Sequence, residues 1–206
     1  MPRLTRALSS KLVAFVVASA AVLVAPSPAR AHFILDAPAS WGAQDFLGNP
    51  QKLGPCGDDK VEPTGIVTAV EEGGMVTITI TETIFHPGHY RVALSVKDRS
   101  ELPPEPPVTP GTTPCGSTEI QDPPVFPVLL DGIFKHEKSF SGPQTIQVKL
   151  PEGVTCEHCT LQVIEFMSNH GLNNPGGCFY HHCADLSISP ASGAGGAAGA
   201  AGAGAA

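Results

Sequence analysis

Apolar and polar positions alternate in short runs along most of the chain. Residues 66–70, 75–81, 90–97, 145–150, 160–167 and 184–189 are rich in β-branched side chains, are set apart by Gly or Pro, and each reads as a strand. The pattern is cleanest at 75–81, where Val76, Ile78 and Ile80 alternate with threonines. No segment of helical length keeps a 3.6-residue apolar period. Glu72-Gly73-Gly74, between the first two runs, predicts a tight hairpin. Prolines crowd residues 98–124, with pairs at 103–104, 106–107 and 123–124, so this stretch is expected to be an extended surface loop. Together the runs predict an all-β fold: an antiparallel, immunoglobulin-like β-sandwich with long loops.

The two ends of the chain read differently. Arg3, Arg6 and Lys11 precede an apolar run from Leu12 to Val24, and Ala29-Arg30-Ala31 supplies a small-residue cleavage site, the layout of a secretory signal. The apolar run is too short to cross a bilayer as a helix, and no later run is longer or more apolar, so no membrane span is expected. An uncleaved N-terminal anchor is the alternative reading. Beyond Ser189 the sequence reduces to Ser, Pro, Gly and Ala and then to Gly and Ala alone, a composition that cannot bury a core. Three parts are expected: a leader over 1–31, a globular domain over 32–189, and a tail over 190–206 suited to a spacer toward a cell-surface anchor. The expected location is secreted or extracytoplasmic, and the expected state a monomer.

Charge narrows the partners. The chain carries 12 Lys+Arg against 19 Asp+Glu, a net charge of −7, and the leader's four basic residues (Arg3, Arg6, Lys11, Arg30) leave with it, taking the exported body to −11. Such a surface repels phosphate backbones, which argues against nucleic acid and leaves neutral glycans or cations as partners. All six cysteines lie beyond the leader, and an even count in an exported chain suggests up to three disulfides, whose pairing the residues alone do not choose.

The residue that carries most chemistry is His32, because cleavage after Ala31 would leave its α-amine and its imidazole on one terminal residue. An α-amino group titrates near ~8, so a metal displaces its proton cheaply, and two nitrogens chelating from one residue lose little further entropy. A third nitrogen from a distant histidine would complete a planar set that suits Cu(II) better than tetrahedral Zn(II). The bland reading is that cleavage simply happens to fall at a histidine. For the third nitrogen, His86 in His86-Pro87-Gly88 sits where a Pro-Gly turn precedes an apolar strand, and His89 is the competitor. His89 and Tyr90 should point to opposite faces of that strand.

Other residues each admit two readings. Cys156-x-x-Cys159 is either a disulfide or a zinc or redox pair. His181-His182 either hold a second metal or divide, one side chain near the metal face and the other solvated. Trp41 and Tyr90 either stack on sugar rings or belong to the core. No hydrolase or phosphate-binding signature is present.

Taken together, His32 after an Ala-x-Ala site and the HPG-x-x-x-V-A-L-S segment at His86 resemble the lytic polysaccharide monooxygenases, in which a histidine brace holds one copper ion. Phe179-Tyr180-His181-His182-Cys183-Ala184-Asp185 is similar to their C-terminal pattern, with an aromatic three residues before a cysteine. Cys156-x-x-Cys159-x-Leu161-Gln162 is similar to a strand start of their animal and oomycete branch. The resemblance implies copper held by His32 and His86, Tyr180 at the axial position, His170 near the position of a histidine that stands just outside the copper ligands and serves catalysis, and a Cys183 disulfide to an early loop cysteine such as Cys56. It also implies a polysaccharide surface as substrate and an external electron donor. One departure stands out: Cys178 occupies the position of a glutamine that handles oxygen in the fungal members. The combination points to a bacterial-type, monooxygenase-like branch, with a non-catalytic exported copper carrier as the alternative.

Overall fold

The computed structural model describes residues 32–58 and 60–192. Residues 1–31, expected to be a leader, and nearly all of the Gly/Ala tail therefore lie outside the described residues. Ten strands run in the order β1 (His32–Ala37), β2 (Val67–Glu71), β3 (Met75–Ile84), β4 (Gly88–Ser95), β5 (Val108–Thr109), β6 (Ser117–Thr118), β7 (Val128–His136), β8 (Gln144–Lys149), β9 (Cys156–Met167) and β10 (Phe179–Ser189). A 3-10 turn at Arg99–Glu101 is the one helical element among the described residues, and none of their helices is long and apolar enough to cross a membrane.

Two sheets pack face to face: β1-β3-β8, and β2-β10-β9-β4-β7. Alternation explains the core between them. Phe33, Leu35, Val76, Ile78, Ile80, Val148 and Leu150 point inward from the smaller sheet and meet Val92, Leu94, Leu161, Val163, Leu186 and Ile188 of the larger. All-β sandwich architecture is what the alternating runs predict, with one departure from a purely antiparallel scheme: β2 pairs with β10 in parallel.

Glu72-Gly73-Gly74 is a turn but not the hairpin its composition predicts. Gly74 N–H donates to the Glu71 carbonyl at 3.0 Å and Gly73 takes φ of +64°, yet β2 and β3 belong to different sheets. The turn is a corner at which the chain changes layer, because β2 finds its partner in β10, far away in sequence. The Pro-rich stretch does run as a loop, interrupted by the small β5-β6 hairpin. It lies against the outer face of the larger sheet, so β4 is buried along its whole length and β9 from Cys159 onward. That double burial encloses polar side chains as well as apolar ones: His89 and Arg91 on β4 and Gln162 and Glu165 on β9 are all buried.

Three disulfides tie the loops to the sheet: Cys56–Cys183, Cys115–Cys178 and Cys156–Cys159. Among the described residues no cysteine is free. Cys156-x-x-Cys159 is thus a disulfide, not a zinc pair. Trp41 and Tyr90 are core residues, which removes the sugar-stacking reading: Tyr90 is fully buried, while Trp41 donates Nε1–H to the Cys56 carbonyl at 3.2 Å and lies under the Arg99 guanidinium.

Candidate functional site

β1 is anchored so that His32 lies at one end of the sandwich. His32 pairs with Ile84 at the end of β3, and the carbonyl of His32 accepts from Thr83 Oγ1 at 3.0 Å. The next residue is held on both sides: Phe33 N–H donates to Gln51 Oε1 at 3.1 Å, and the Phe33 carbonyl accepts from His182 Nε2 at 3.0 Å. A strand at the start of a domain would ordinarily fray; these side-chain clamps hold this one.

His86 stands two residues beyond the β1–β3 pairing, on the link that carries the chain from the smaller sheet to the larger. Gly88 makes the link possible, since a Cβ there would lie 1.8 Å from the Phe166 carbonyl oxygen. Ser168 N–H and Oγ both donate to the Pro87 carbonyl at 2.9 Å, so the loop after β9 is fastened to the loop that bears His86. The same loop brings in Asn169 and His170.

Four rings thereby come together. His32 and Tyr180 have centroids 5.2 Å apart, Tyr180 and His170 6.2 Å, and His170 and His86 4.8 Å. All four are buried. The Tyr180 hydroxyl donates to Asn173 Oδ1 at 3.3 Å, and His170 Nδ1 bonds the Gly171 carbonyl. His170 Nε2 is buried and has no hydrogen-bond partner among the described residues.

Two asparagines set the tautomers of the outer histidines. The Asn49 side-chain NH2 donates to the Asp45 carboxylate, so its Oδ1 faces His32 Nε2 at 3.1 Å and must accept from it. In the neutral ring that leaves the lone pair on His32 Nδ1. Asn169 Oδ1 lies 2.7 Å from His86 Nδ1, which makes Nδ1 the protonated nitrogen and places the lone pair of His86 on Nε2. Neither Asn49 nor Asn169 is distinguishable in the sequence, because loop asparagines are common and only the fold shows which ones meet a histidine.

The remaining histidines fall elsewhere. His89 is on the outer face of the larger sheet against Phe166, at 5.3 Å, and burial lowers its pKa. The division expected for His181 and His182 is overturned, since neither is solvated. As neighbours on a strand they point to opposite faces. His181 faces outward, 2.9 Å from Glu105, while His182 lies inside the sandwich edge-on to Phe33, where burial holds its pKa down to about 4. Among the described residues no three His, Cys, Asp or Glu side chains are placed to hold a metal. A brace draws on only two imidazoles, its third nitrogen being a terminal amine.

A buried acid that sequence reasoning missed sits behind the rings. Glu165 on β9 stands directly across from Tyr90 on β4 and from Tyr180 on β10, fully buried, and its pKa is pushed well up by burial and by the charge of Glu82. Glu82 is itself paired with His136 at 2.9 Å. The signal was available: an acidic residue falls at an inward position between Val163 and Met167.

No family model matches the chain, and no curated protein matches it. Among solved structures it is similar to a lytic polysaccharide monooxygenase AA15 from Thermobia domestica in the Cu(I) state, at 22% identity and a TM-score of 0.43, over 67% of this chain and 77% of that one. It is also similar to a chitin binding domain from Burkholderia pseudomallei, at 11% identity and a TM-score of 0.42, over 78% of this chain and all of that one.

Proposed function

We propose that the exported chain, beginning at His32, holds one copper ion through the His32 amine, His32 Nδ1 and His86 Nε2, and oxidises a polysaccharide. The observation that carries this reading is the pair of tautomers. Chelation through an α-amine and Nδ1 of the same residue closes a six-membered ring, which Nε2 is too far round the imidazole to do. Asn49 takes up His32 Nε2 and so directs the lone pair to the nitrogen that chelates. Asn169 does the converse at His86. Nitrogen donors of this kind fit Cu(II), and orienting bonds on the far side of each imidazole are what a metal site needs.

Copper bound there would supply the one-electron chemistry by which oxygen or peroxide removes a hydrogen from a glycosidic carbon. The protein's own groups do the rest. Tyr180, in contact with His32 and fully buried, would stand beside the ion and exclude water from the buried side. His170, engaged at Nδ1 and touching both His86 and Tyr180, is assigned to exchange a proton at Nε2. The phenyl of Phe46 and the side chain of Leu172 are exposed on the loops that carry Asn49 and His170, apolar surface available to an insoluble glycan. The electron donor is external.

A second reading, a copper carrier without catalysis, is favoured by one observation. Cys178 is tied to Cys115 and has no hydrogen to give where the fungal enzymes hold their glutamine. Loss of one preorganised hydrogen bond at a reacting oxygen costs about 10²–10³ in rate, which slows an oxidase without erasing it. Copper-loaded protein, a reductant, peroxide and a panel of cellulose, chitin, xylan and starch separate the two. The oxidase reading expects oxidised oligosaccharides from at least one glycan at a low rate, reduced further by Tyr180→Phe. Tight copper binding with no oxidised product from any glycan would leave the carrier.

A further inference from the structure

On the outer face of the larger sheet, away from the four rings, a cavity of about 680 Å³ opens between β4, β9 and β10 and the strand-like run of prolines after the 3-10 turn. Its walls are mostly apolar: Pro55, Leu102, Pro103, Pro104 and Ile164. Its floor is not. Arg91, whose neighbours Tyr90 and Val92 face the core, turns its guanidinium outward into the lining, where it is only 6% exposed.

The guanidinium of Arg91 is held by backbone carbonyls. Nη2 donates to the carbonyls of Pro103 and Pro104, at 3.4 and 3.0 Å, and Nε is buried with no hydrogen-bond partner. Among the described residues no carboxylate forms an ion pair with it. Burial draws its pKa down, opposed only at longer range by Asp131 and Glu105. The other charges at the rim have close neighbours of their own: Arg99 bonds Asp185 at 3.3 Å and covers Trp41, and Glu105 Oε1 lies 2.9 Å from His181 Nε2. Carbonyl dipoles satisfy donors but do not neutralise a buried cation, and an uncompensated guanidinium is costly unless something anionic meets it.

We propose that this cavity binds a small organic carboxylate, the carboxylate on Arg91 and the apolar body against the proline wall. Guanidinium geometry suits a planar carboxylate, and a cavity of this size, with Ser100 and Gln162 beside its apolar walls, has room for a ring-bearing organic body. Phosphate esters fit worse: one guanidinium opposes two negative charges, on a chain whose net charge is −7.

The test uses the exported, disulfide-intact protein titrated with benzoate, and with benzamide as its uncharged isostere, followed by heteronuclear NMR and calorimetry at neutral pH. Benzoate should saturate at millimolar concentrations or below and shift the resonances of Leu102, Ile164 and Arg91; benzamide should bind at least about tenfold more weakly. Arg91→Gln should lower benzoate affinity by about tenfold or more. Because a buried arginine variant can fail to fold, two others keep the test decisive. Leu102→Trp, which fills the cavity and leaves Arg91 in place, should abolish binding, and Glu105→Gln, which removes the competing carboxylate from the rim, should tighten it. No saturation by benzoate, equal binding of benzamide, shifts confined to another surface, or undiminished binding in Leu102→Trp would each overturn the proposal.

Discussion

The two ends of the sandwich are built from the same four strands and differ in what those strands turn inward. Toward one end the inward positions are apolar: Val76 and Ile78 on β3, Leu94 on β4, Leu161 on β9, Leu186 and Ile188 on β10. Toward the other, alternation continues and chemistry replaces hydrocarbon: Glu82 on β3, Tyr90 on β4, Glu165 on β9, Tyr180 and His182 on β10. Burying apolar side chains stabilises the fold, whereas burying ionisable ones costs free energy unless each finds a partner. The apolar end therefore carries the stability, and the ionisable end is where the fold gives some of it up to hold the rings and their partners in place.

That contrast breaks first at the apolar end. Ile78→Ala, at a fully buried position, should lose about 3–4 kcal/mol in denaturant unfolding and leave copper affinity unchanged. A smaller, pH-dependent loss belongs to His182. Its imidazole titrates near 6.5 in the unfolded chain and at about 4 in the folded one, displaced by burial and then by the nearby His181 and His32. The folded state thus binds fewer protons between these values. Its contribution is full above 6.5 and disappears as pH falls through about 4, amounting to about 3 kcal/mol over the window. His182→Gln, which can still donate to Phe33, should flatten the metal-free protein's stability profile there.

Glu165 has the opposite sign. Its folded pKa is raised, so the folded state keeps a proton that the unfolded carboxyl releases near ~4.3, and stability falls as pH rises beyond that point. Glu165→Gln should match the parent at acid pH and exceed it increasingly as the pH rises, measured by urea unfolding. A variant less stable at every pH would mean that the acid is a satisfied structural group. The smallest effect expected is at His89: His89→Ala should leave copper affinity within about threefold of the parent, whereas His86→Ala should lose most of it.

The apolar end was legible in the sequence and the ionisable end only in part. Val76, Ile78 and Ile80 alternate with threonines over a run long enough to identify a strand and its inward face. β7 escaped notice because positive φ angles at Gly132 and Phe134 interrupt its period of two, so Val128–His136 does not scan as a strand. β1 was hidden by its position directly after the signal-like residues 1–31. The corner at Glu72-Gly73-Gly74 was misread because a turn's composition is local while the choice of sheet depends on β10, more than a hundred residues on. At the site, His32, His86, His170 and Tyr180 could be named from motifs, and the fold brings their rings into one row. Asn49, Asn169 and Gln51 could not, since their importance lies wholly in which atoms they meet.

Everything proposed for the site depends on His32 presenting a terminal amine. The most direct measurement takes the exported protein, establishes its first residue by mass spectrometry, and compares its Cu(II) affinity and electron spin resonance with a version carrying one extra residue before His32. The account expects the chain to begin at His32, one copper per molecule, and a nitrogen-rich tetragonal signal that is lost, with the tight binding, in the extended version. Undiminished affinity with the extra residue in place would contradict it.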